Sequence, residues 1–244
     1  MNIKIINPAR YQSSRFPGKP LIDLNGKSMI ERVWRNCCDA IDSKDIYIAT
    51  ESYLIHEHCW ERGIQCLLTS DNCKTGTDRV YEASQRLDNI DVIINVQGDL
   101  PLLSGKSVKK VIKSVCQDPE IIHYGMNEIL KEEDFRSFSI VKVVTDLNKR
   151  LLYASRSPIP VTKENNFVRA SKTASIFAVP IDTLKAFAQL KFKTPLESIE
   201  DVEILRFIEL GYNVQMVKLK DISVSVDYPE DADKVRRILS EKNS

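Results

Sequence analysis

The chain has 244 residues, 43% of them hydrophobic and 28% charged, and its 35 Lys and Arg nearly cancel its 34 Asp and Glu to leave a net charge of +1. This is enough chain for one large domain, or one domain with a modest excursion, and enough apolar residue to fill a core. The charge balance argues against nucleic acid or an acidic membrane as the main partner, so any anionic ligand must be held by a local cluster of cations.

The amino end carries no apolar stretch of signal-peptide length before Pro8 and Arg10. No segment approaches the roughly 18 apolar residues of a membrane span. A cytoplasmic location is expected.

The first half alternates short β-rich runs with helical spacing. Ile3–Ile6 predicts a strand, and Lys27–Cys38 a helix with Ile30, Val33, Trp34 and Cys37 on one stripe. Strands are expected at Asp45–Ala49, Gln65–Leu68 and Asp91–Val96, and helices near 52–62, 78–86 and 106–116. Strand and helix alternating at these lengths predict an α/β fold with a mostly parallel central sheet. Ligands of such sheets bind in loops beyond the carboxyl ends of strands. Two segments qualify here: the loop after Ile3–Ile6 and the loop after Asp91–Val96.

The second half has another rhythm. A hairpin is expected from Ser139–Val144 to Leu151–Tyr153, a loop over 157–170, and a β-like run over Ser171–Val179. Helices follow at Pro180–Gln189 and at Ser198–Leu210, the latter ended by Gly211 as a left-handed cap residue. A strand Val214–Lys218, a β-like run Ile222–Val226, a turn Asp227–Pro229 and a helix Pro229–Ser240 close the chain. No repeat or linker interrupts it, so residues 1–244 read as one domain with a smaller β-rich insertion over 120–195.

The six cysteines include no C-x-x-C and no zinc spacing, and read as reduced structural thiols. His56 and His58 are two apart on a helix and His123 is isolated, so a histidine metal site is not expected.

The loop Asn7–Pro20 is the most informative segment. It sets Arg10, Arg15 and Lys19 among Pro8, Pro17, Gly18 and Pro20, between a strand and a helix. Three cations on a loop stiffened by proline suit a polyphosphate better than a solvated face. Ser13, Ser14 and backbone N–H groups can add donors. Neither G-x-G-x-x-G nor the Walker pattern is present, which disfavours a redox dinucleotide enzyme or a P-loop NTPase.

PARYQSSRFPGKPL resembles the amino-terminal signature of the 3-deoxy-manno-octulosonate (KDO) cytidylyltransferases, the CMP-KDO synthetase family, and more loosely that of the sialic acid cytidylyltransferases. TGTDR (75–79), NVQGD (95–99), VKVV (141–144), SRSPIP (155–160) and VDYPED (226–231) follow in the family's order across nearly the whole chain. The resemblance implies a three-layer Rossmann-like nucleotidyltransferase fold, CTP as donor, an acidic sugar as acceptor (KDO or a related 2-keto-3-deoxy sugar acid), Mg²⁺, and a homodimer built partly from the insertion. It also implies a place in lipopolysaccharide or surface polysaccharide synthesis.

Carried residue by residue, the resemblance puts the triphosphate on Pro8, Ala9, Arg10, Ser13, Arg15 and Lys19, and has Thr75, Gly76, Arg79 and Gln97 help to seat nucleotide or sugar. Asp99 follows a buried-looking strand and Asp227 follows a β-like run, so either can face the cleft. Two carboxylates from distant segments plus substrate oxygens are a usual Mg²⁺ set. Each also has a plain reading as a turn or helix-cap aspartate. For the acceptor, the candidates are Gln97, Lys142, Arg156, Glu200 and Glu203. Lys142 also fits an edge strand, and Glu200 with Glu203 also fits a solvated helix face.

The chain departs from the family at the acceptor. SKTASIFAV (171–179) stands where the family has an H-L-G-I-Y-x-Y-like segment, Phe177 lies near its first aromatic position, Ile204 replaces a Gln, Leu100 replaces a Glu, and Asn7 replaces an apolar residue. Two other functions compete: a sugar-1-phosphate nucleotidyltransferase using another NTP, whose usual glycine-rich first loop is missing, and a non-catalytic nucleotide-binding homologue.

Overall fold

The structure is a computed structural model that describes residues 1–13, 15–221 and 224–242. The chain divides into two compact units, one formed by residues 1–109 with 221–244 and the other by 110–220.

In the first unit, β1 (Ile3–Pro8), β2 (Ile46–Thr50), β3 (Cys66–Leu68) and β4 (Val92–Val96) alternate with α1 (Met29–Cys38), α2 (Tyr53–Trp60) and α3 (Gly76–Ser84). The strands are parallel in the order β3-β2-β1-β4. The chain steps from β1 to β2 to β3 on one side and then returns to lay β4 on the other side of β1. The order therefore reverses between β1 and β4, the point at which sheets of this kind bind ligands. β4 is buried along its whole length, as its unbroken apolar run predicts.

Two of the predicted helices begin at side-chain caps. Ser28 accepts the Glu31 N–H at the start of α1. Thr75 and Asp78 form a capping box at the start of α3, which therefore begins two residues earlier than its apolar spacing suggests. α4 (Gly105–Gln117) follows β4. A Cβ at Gly105 would stand 2.4 Å from Asp39 Cβ, which explains a glycine there. The final helix α9 (Pro229–Lys242) packs through Ala232 and Val235 on Leu24, Met29, Leu102 and Val226. No strand covers 224–226, and residues 222 and 223 of the expected β-like run lie outside the described residues.

The second unit contains β5 (Ile122–Ile129), α5 (Glu132–Arg136), β6 (Lys142–Thr145), β7 (Leu151–Ser155), β8 (Ala170–Pro180), α6 (Ile181–Gln189), α7 (Pro195–Glu200), α8 (Ile204–Glu209) and β9 (Val214–Lys218). β6 and β7 form the expected hairpin, but Ser139–Val141 lies outside it. β8 pairs antiparallel with β5 and β6, and β5 pairs parallel with β9.

One strand was not anticipated and one expectation is corrected. β5 was not legible from sequence, and the single helix over 198–210 is two short helices broken at Asp201, whose φ is 52°. The break is fixed by a buried fork: Arg206 Nε and Nη2 each donate at 2.6 Å to the Glu197 carboxylate, with both side chains 1% exposed.

Candidate active site

Three segments of the first unit meet beyond the ends of β1 and β4. A Cβ at Gly98 would lie 2.7 Å from the Pro8 carbonyl oxygen, so only glycine lets the two strand exits run this close. The Val226 N–H donates to the Asp99 carbonyl at 3.0 Å, tying the segment before α9 to the exit of β4. Asp99 and Asp227 are thereby neighbours.

The Lys19 ammonium joins them. Lys19 Nζ lies 3.0 Å from Asp99 Oδ2, 3.4 Å from Asp227 Oδ1 and 2.9 Å from the Val226 carbonyl oxygen. Arg15 Nη2 pairs with Asp227 Oδ1 at 2.9 Å, and its guanidinium lies over the Tyr228 ring. Burial pulls the Arg15 pKa down, but Tyr228, Asp227 and Asp99 outweigh it and the value is raised. The cap reading of Asp227 fails on its side chain. Asp231 accepts the Asp227 and Tyr228 N–H groups at 3.2 and 3.1 Å, leaving the Asp227 carboxylate to the cations.

The phosphate-loop backbone is pinned on both sides of Arg10. The buried Ala9 donates its N–H to the Ala49 carbonyl at 2.8 Å, and Tyr11 donates its N–H to Glu51 Oε1 at 2.8 Å. Tyr11 accepts the Gly18 N–H at 2.9 Å. Gly18, at φ 71°, closes that turn. Arg10 itself is exposed, and its side chain makes no hydrogen bond or ion pair among the described residues. Ser13 is half-buried in the same loop, and Ser14 lies outside the described residues.

Gly76 and Gln97 face each other, since a Cβ at Gly76 would lie 3.2 Å from the Gln97 amide and 3.5 Å from Pro8 Cγ. Thr75 is buried in its capping box. Arg79 is 1% exposed, bonds Thr69 Oγ1, and pairs with Glu51 Oε2 at 3.0 Å. Sequence reasoning missed Glu51, whose only signal was an acid two residues beyond the predicted strand Asp45–Ala49.

In the second unit, Lys142, Arg156 and Glu200 cluster. Lys142 is fully buried and gives its ammonium protons to the Ser137, Ile140 and Arg156 carbonyls, the first two at 2.8 and 2.7 Å. Burial and the nearby Arg156 charge pull its pKa down to about 8 against the opposing Glu200. Lys142 thus touches backbone where the sequence suggested a sugar carboxylate. Arg156 donates to the carbonyls of Glu200, Phe138 and Asp201 at 2.6, 3.1 and 3.0 Å. Glu200 accepts from the Arg156 N–H, Ser155 and Tyr153; burial opposes these bonds, yet its pKa is lowered.

Glu203 is half-buried; burial foremost, and then the Glu203 charge, raises the Tyr124 pKa. Phe177 is 3% exposed and stacks on Tyr124 at 5.2 Å. Ile204 and Leu100 are likewise core residues, 2% and 3% exposed.

Among the described residues no group of three or more His, Cys, Asp or Glu could hold a metal alone. No helix among them is long and apolar enough to cross a membrane. All six cysteines are free.

The model of the cytidylyltransferase family matches residues 4–222. The chain is 35% identical over 242 residues to the mitochondrial 3-deoxy-manno-octulosonate cytidylyltransferase of Arabidopsis thaliana, covering 98% of this chain and 83% of the relative. It is 34% identical to the 3-deoxy-manno-octulosonate cytidylyltransferase of Acaryochloris marina, covering 99% of this chain and 98% of the relative. A solved structure of CMP:2-keto-3-deoxy-manno-octonic acid synthetase complexed with CTP matches with a TM-score of 0.89 at 30% identity, covering 99% of this chain and 100% of that one. A glucose-1-phosphate thymidylyltransferase structure from Bacillus anthracis, with a TM-score of 0.70 at 14% identity and covering 97% of this chain and 94% of that one, shares the fold alone. The α/β fold with its mostly parallel sheet is therefore that of a nucleotidyltransferase, and the chain belongs to the cytidylyltransferase family, alongside the 3-deoxy-manno-octulosonate cytidylyltransferases.

Proposed function

We propose that the protein transfers CMP from CTP to KDO or a closely related 2-keto-3-deoxy sugar acid, releasing pyrophosphate. The observation that carries this is the convergence of Asp99 and Asp227 on Lys19 at the sheet's reversal point, beside the pinned loop of Arg10. Arg10, Arg15 and Lys19 neutralise the triphosphate, with Pro8, Ala9 and Ser13 shaping the loop. Gln97, Gly76 and Thr75 seat the nucleotide, and Arg79 supports them from within. The acceptor's anomeric hydroxyl attacks the α-phosphorus in line. The new O–P bond forms as the bond to the β-phosphate bridging oxygen breaks, the hydroxyl proton passes to solvent, and pyrophosphate leaves. Positioning and charge neutralisation supply the rate, and no covalent enzyme intermediate is needed.

Two carboxylates, with no third His, Cys, Asp or Glu grouped with them among the described residues, form a hard oxygen set that fits Mg²⁺ shared with phosphate oxygens. Asp99 and Asp227 would hold the ion, which when bound supplies Lewis-acid neutralisation of the α-phosphate. Lys19 is then placed to hand the carboxylates over and turn to the phosphates.

Arg156, Glu200 and Glu203 are proposed as the acceptor's contacts, with Lys142 acting by fixing the turn that carries Arg156. We read 1–244 as one catalytic domain in which 120–195 also carries a homodimer contact. The exposed Phe138, Leu147 and Leu152 support that contact. We propose a cytoplasmic setting in surface polysaccharide synthesis, the pathway the acceptor suggests.

The test is pyrophosphate release with Mg²⁺, CTP, UTP, GTP or dTTP, and a panel of sugar acids and sugar 1-phosphates. Release only with CTP and a 2-keto-3-deoxy sugar acid is expected. Release with a sugar 1-phosphate would reassign the enzyme, and CTP binding without any release would make it a binding protein.

A further inference from the structure

Arg10 is pinned through its neighbours, and one of the two pins is a side chain. Glu51 sits at the residue after β2, where the strand delivers it to the loop. Its Oε1 accepts the Tyr11 N–H at 2.8 Å, while its Oε2 meets Arg79 Nη2 at 3.0 Å. The Glu51 side chain is 11% exposed and that of Arg79 1%. Arg79 is in turn held by Thr69 Oγ1 and by its place in the first turn of α3, fixed by the Thr75–Asp78 capping box. A nearly buried carboxylate braced by a buried guanidinium has little freedom, and a charge-assisted bond from it holds a backbone N–H more firmly than a neutral one. The other neighbour, Ala9, is held by the Ala49 carbonyl at the end of the same strand.

We propose that Glu51, braced by Arg79, is a positioning residue that sets the aim of Arg10 toward the nucleotide's phosphates. It touches no substrate. It fixes the backbone on the carboxyl side of Arg10, so that the long side chain binds from a preset origin without first ordering the loop. This inference rests on the reading of the Arg10 loop as the triphosphate cradle. It assigns TGTDR an internal task, since its Arg79 serves the phosphate loop through Glu51. It also explains why Arg79, the cation of that motif, is buried when a ligand contact would need it open.

The experiment is a double-mutant cycle on CTP affinity, measured by calorimetry with Mg²⁺ and no acceptor, joined to steady-state kinetics. Glu51→Gln keeps the size and one acceptor but ends the ion pair. It is expected to weaken CTP about tenfold and to raise the KM for CTP in step, with the KM for the acceptor unchanged. In an Arg10→Ala background the same change is expected to have no further effect. A merely structural role would lower the active fraction, and with it kcat, at constant KM. If Glu51→Gln does not fold, Arg79→Lys substitutes for it and is expected to show the same non-additivity at smaller size. An unchanged CTP affinity, or an effect that multiplies in full with that of Arg10→Ala, would overturn the inference alone. Unchanged CTP affinity in Arg10→Ala itself would overturn the cradle reading and this inference with it.

Discussion

Lys19 Nζ stands 3.0 Å from Asp99 Oδ2, so the last cation of the amino-terminal loop is ion-paired to the carboxylate at the exit of β4. The pair brings together the two features most legible in the sequence, and Asp227 joins them at 3.4 Å. Removing Lys19 should leave Asp99 and Asp227 facing each other with only Arg15 to offset them. Lys19→Ala is therefore expected to weaken CTP binding by about tenfold or more at low Mg²⁺, a loss that added Mg²⁺ partly restores. Titrating CTP at two Mg²⁺ concentrations checks it, and an unchanged affinity at both would remove Lys19 from the triphosphate site.

Lys142 donates to three carbonyl oxygens inside the protein. Lys142→Met keeps much of the stem and removes the donors, stranding buried acceptors at about 1–3 kcal/mol each. Chemical denaturation should show a loss of about 3 kcal/mol or more. A fully stable variant impaired only in the KM for the acceptor would instead return Lys142 to direct sugar contact.

Ser175 adopts φ 50° within β8, beside the bulge opposite Tyr124 and Met126. A left-handed conformation costs a non-glycine residue about 1–2 kcal/mol. Ser175→Gly should therefore raise stability by about 1 kcal/mol, after the entropy glycine adds to the unfolded chain. Gly125, on the paired strand, should respond in the opposite sense. A Cβ there would stand 2.8 Å from both Ile176 Cγ2 and Leu219 Cδ1, so Gly125→Ala is expected to cost about 1–3 kcal/mol. Urea midpoints of the two variants settle both.

Gly125 also explains what the sequence concealed. The strand Ile122–Ile129 reads IHYGMNEI, and a central glycine with polar neighbours hides a β-run whose need for close packing is visible only in three dimensions. Asp201 broke a helix whose apolar spacing continued through it, because a buried Glu197–Arg206 fork set the chain direction. By contrast, β1, β4 and the carboxylates beyond β4 and before α9 were legible, since parallel buried strands and proline-stiffened loops leave local marks. Glu51 left only its place near a strand end, as its meaning depends on which loop lies next to the end of β2.

His123 is 2% exposed, donates from Nε2 to the Asp118 carbonyl at 2.7 Å, and has Nδ1 2.9 Å from Ser114 Oγ. Burial lowers its pKa below 6.5, the largest effect, with Asp118 opposing. Below pH 6.5 the unfolded chain takes up this proton before the folded one does, so the contribution is complete above that pH and is lost as pH falls beneath it. His123→Gln should reduce the drop in unfolding free energy between pH 7.5 and 5.5. An unchanged drop would place the acid sensitivity elsewhere.

The whole scheme depends on the acid pair serving the reaction and not merely the fold. Asp99→Asn keeps the side chain's size and tests this most directly, through pyrophosphate release from CTP and KDO at saturating Mg²⁺. A fall of about a thousandfold or more with an unaltered thermal melt is expected; turnover near that of the parent protein would contradict the assignment.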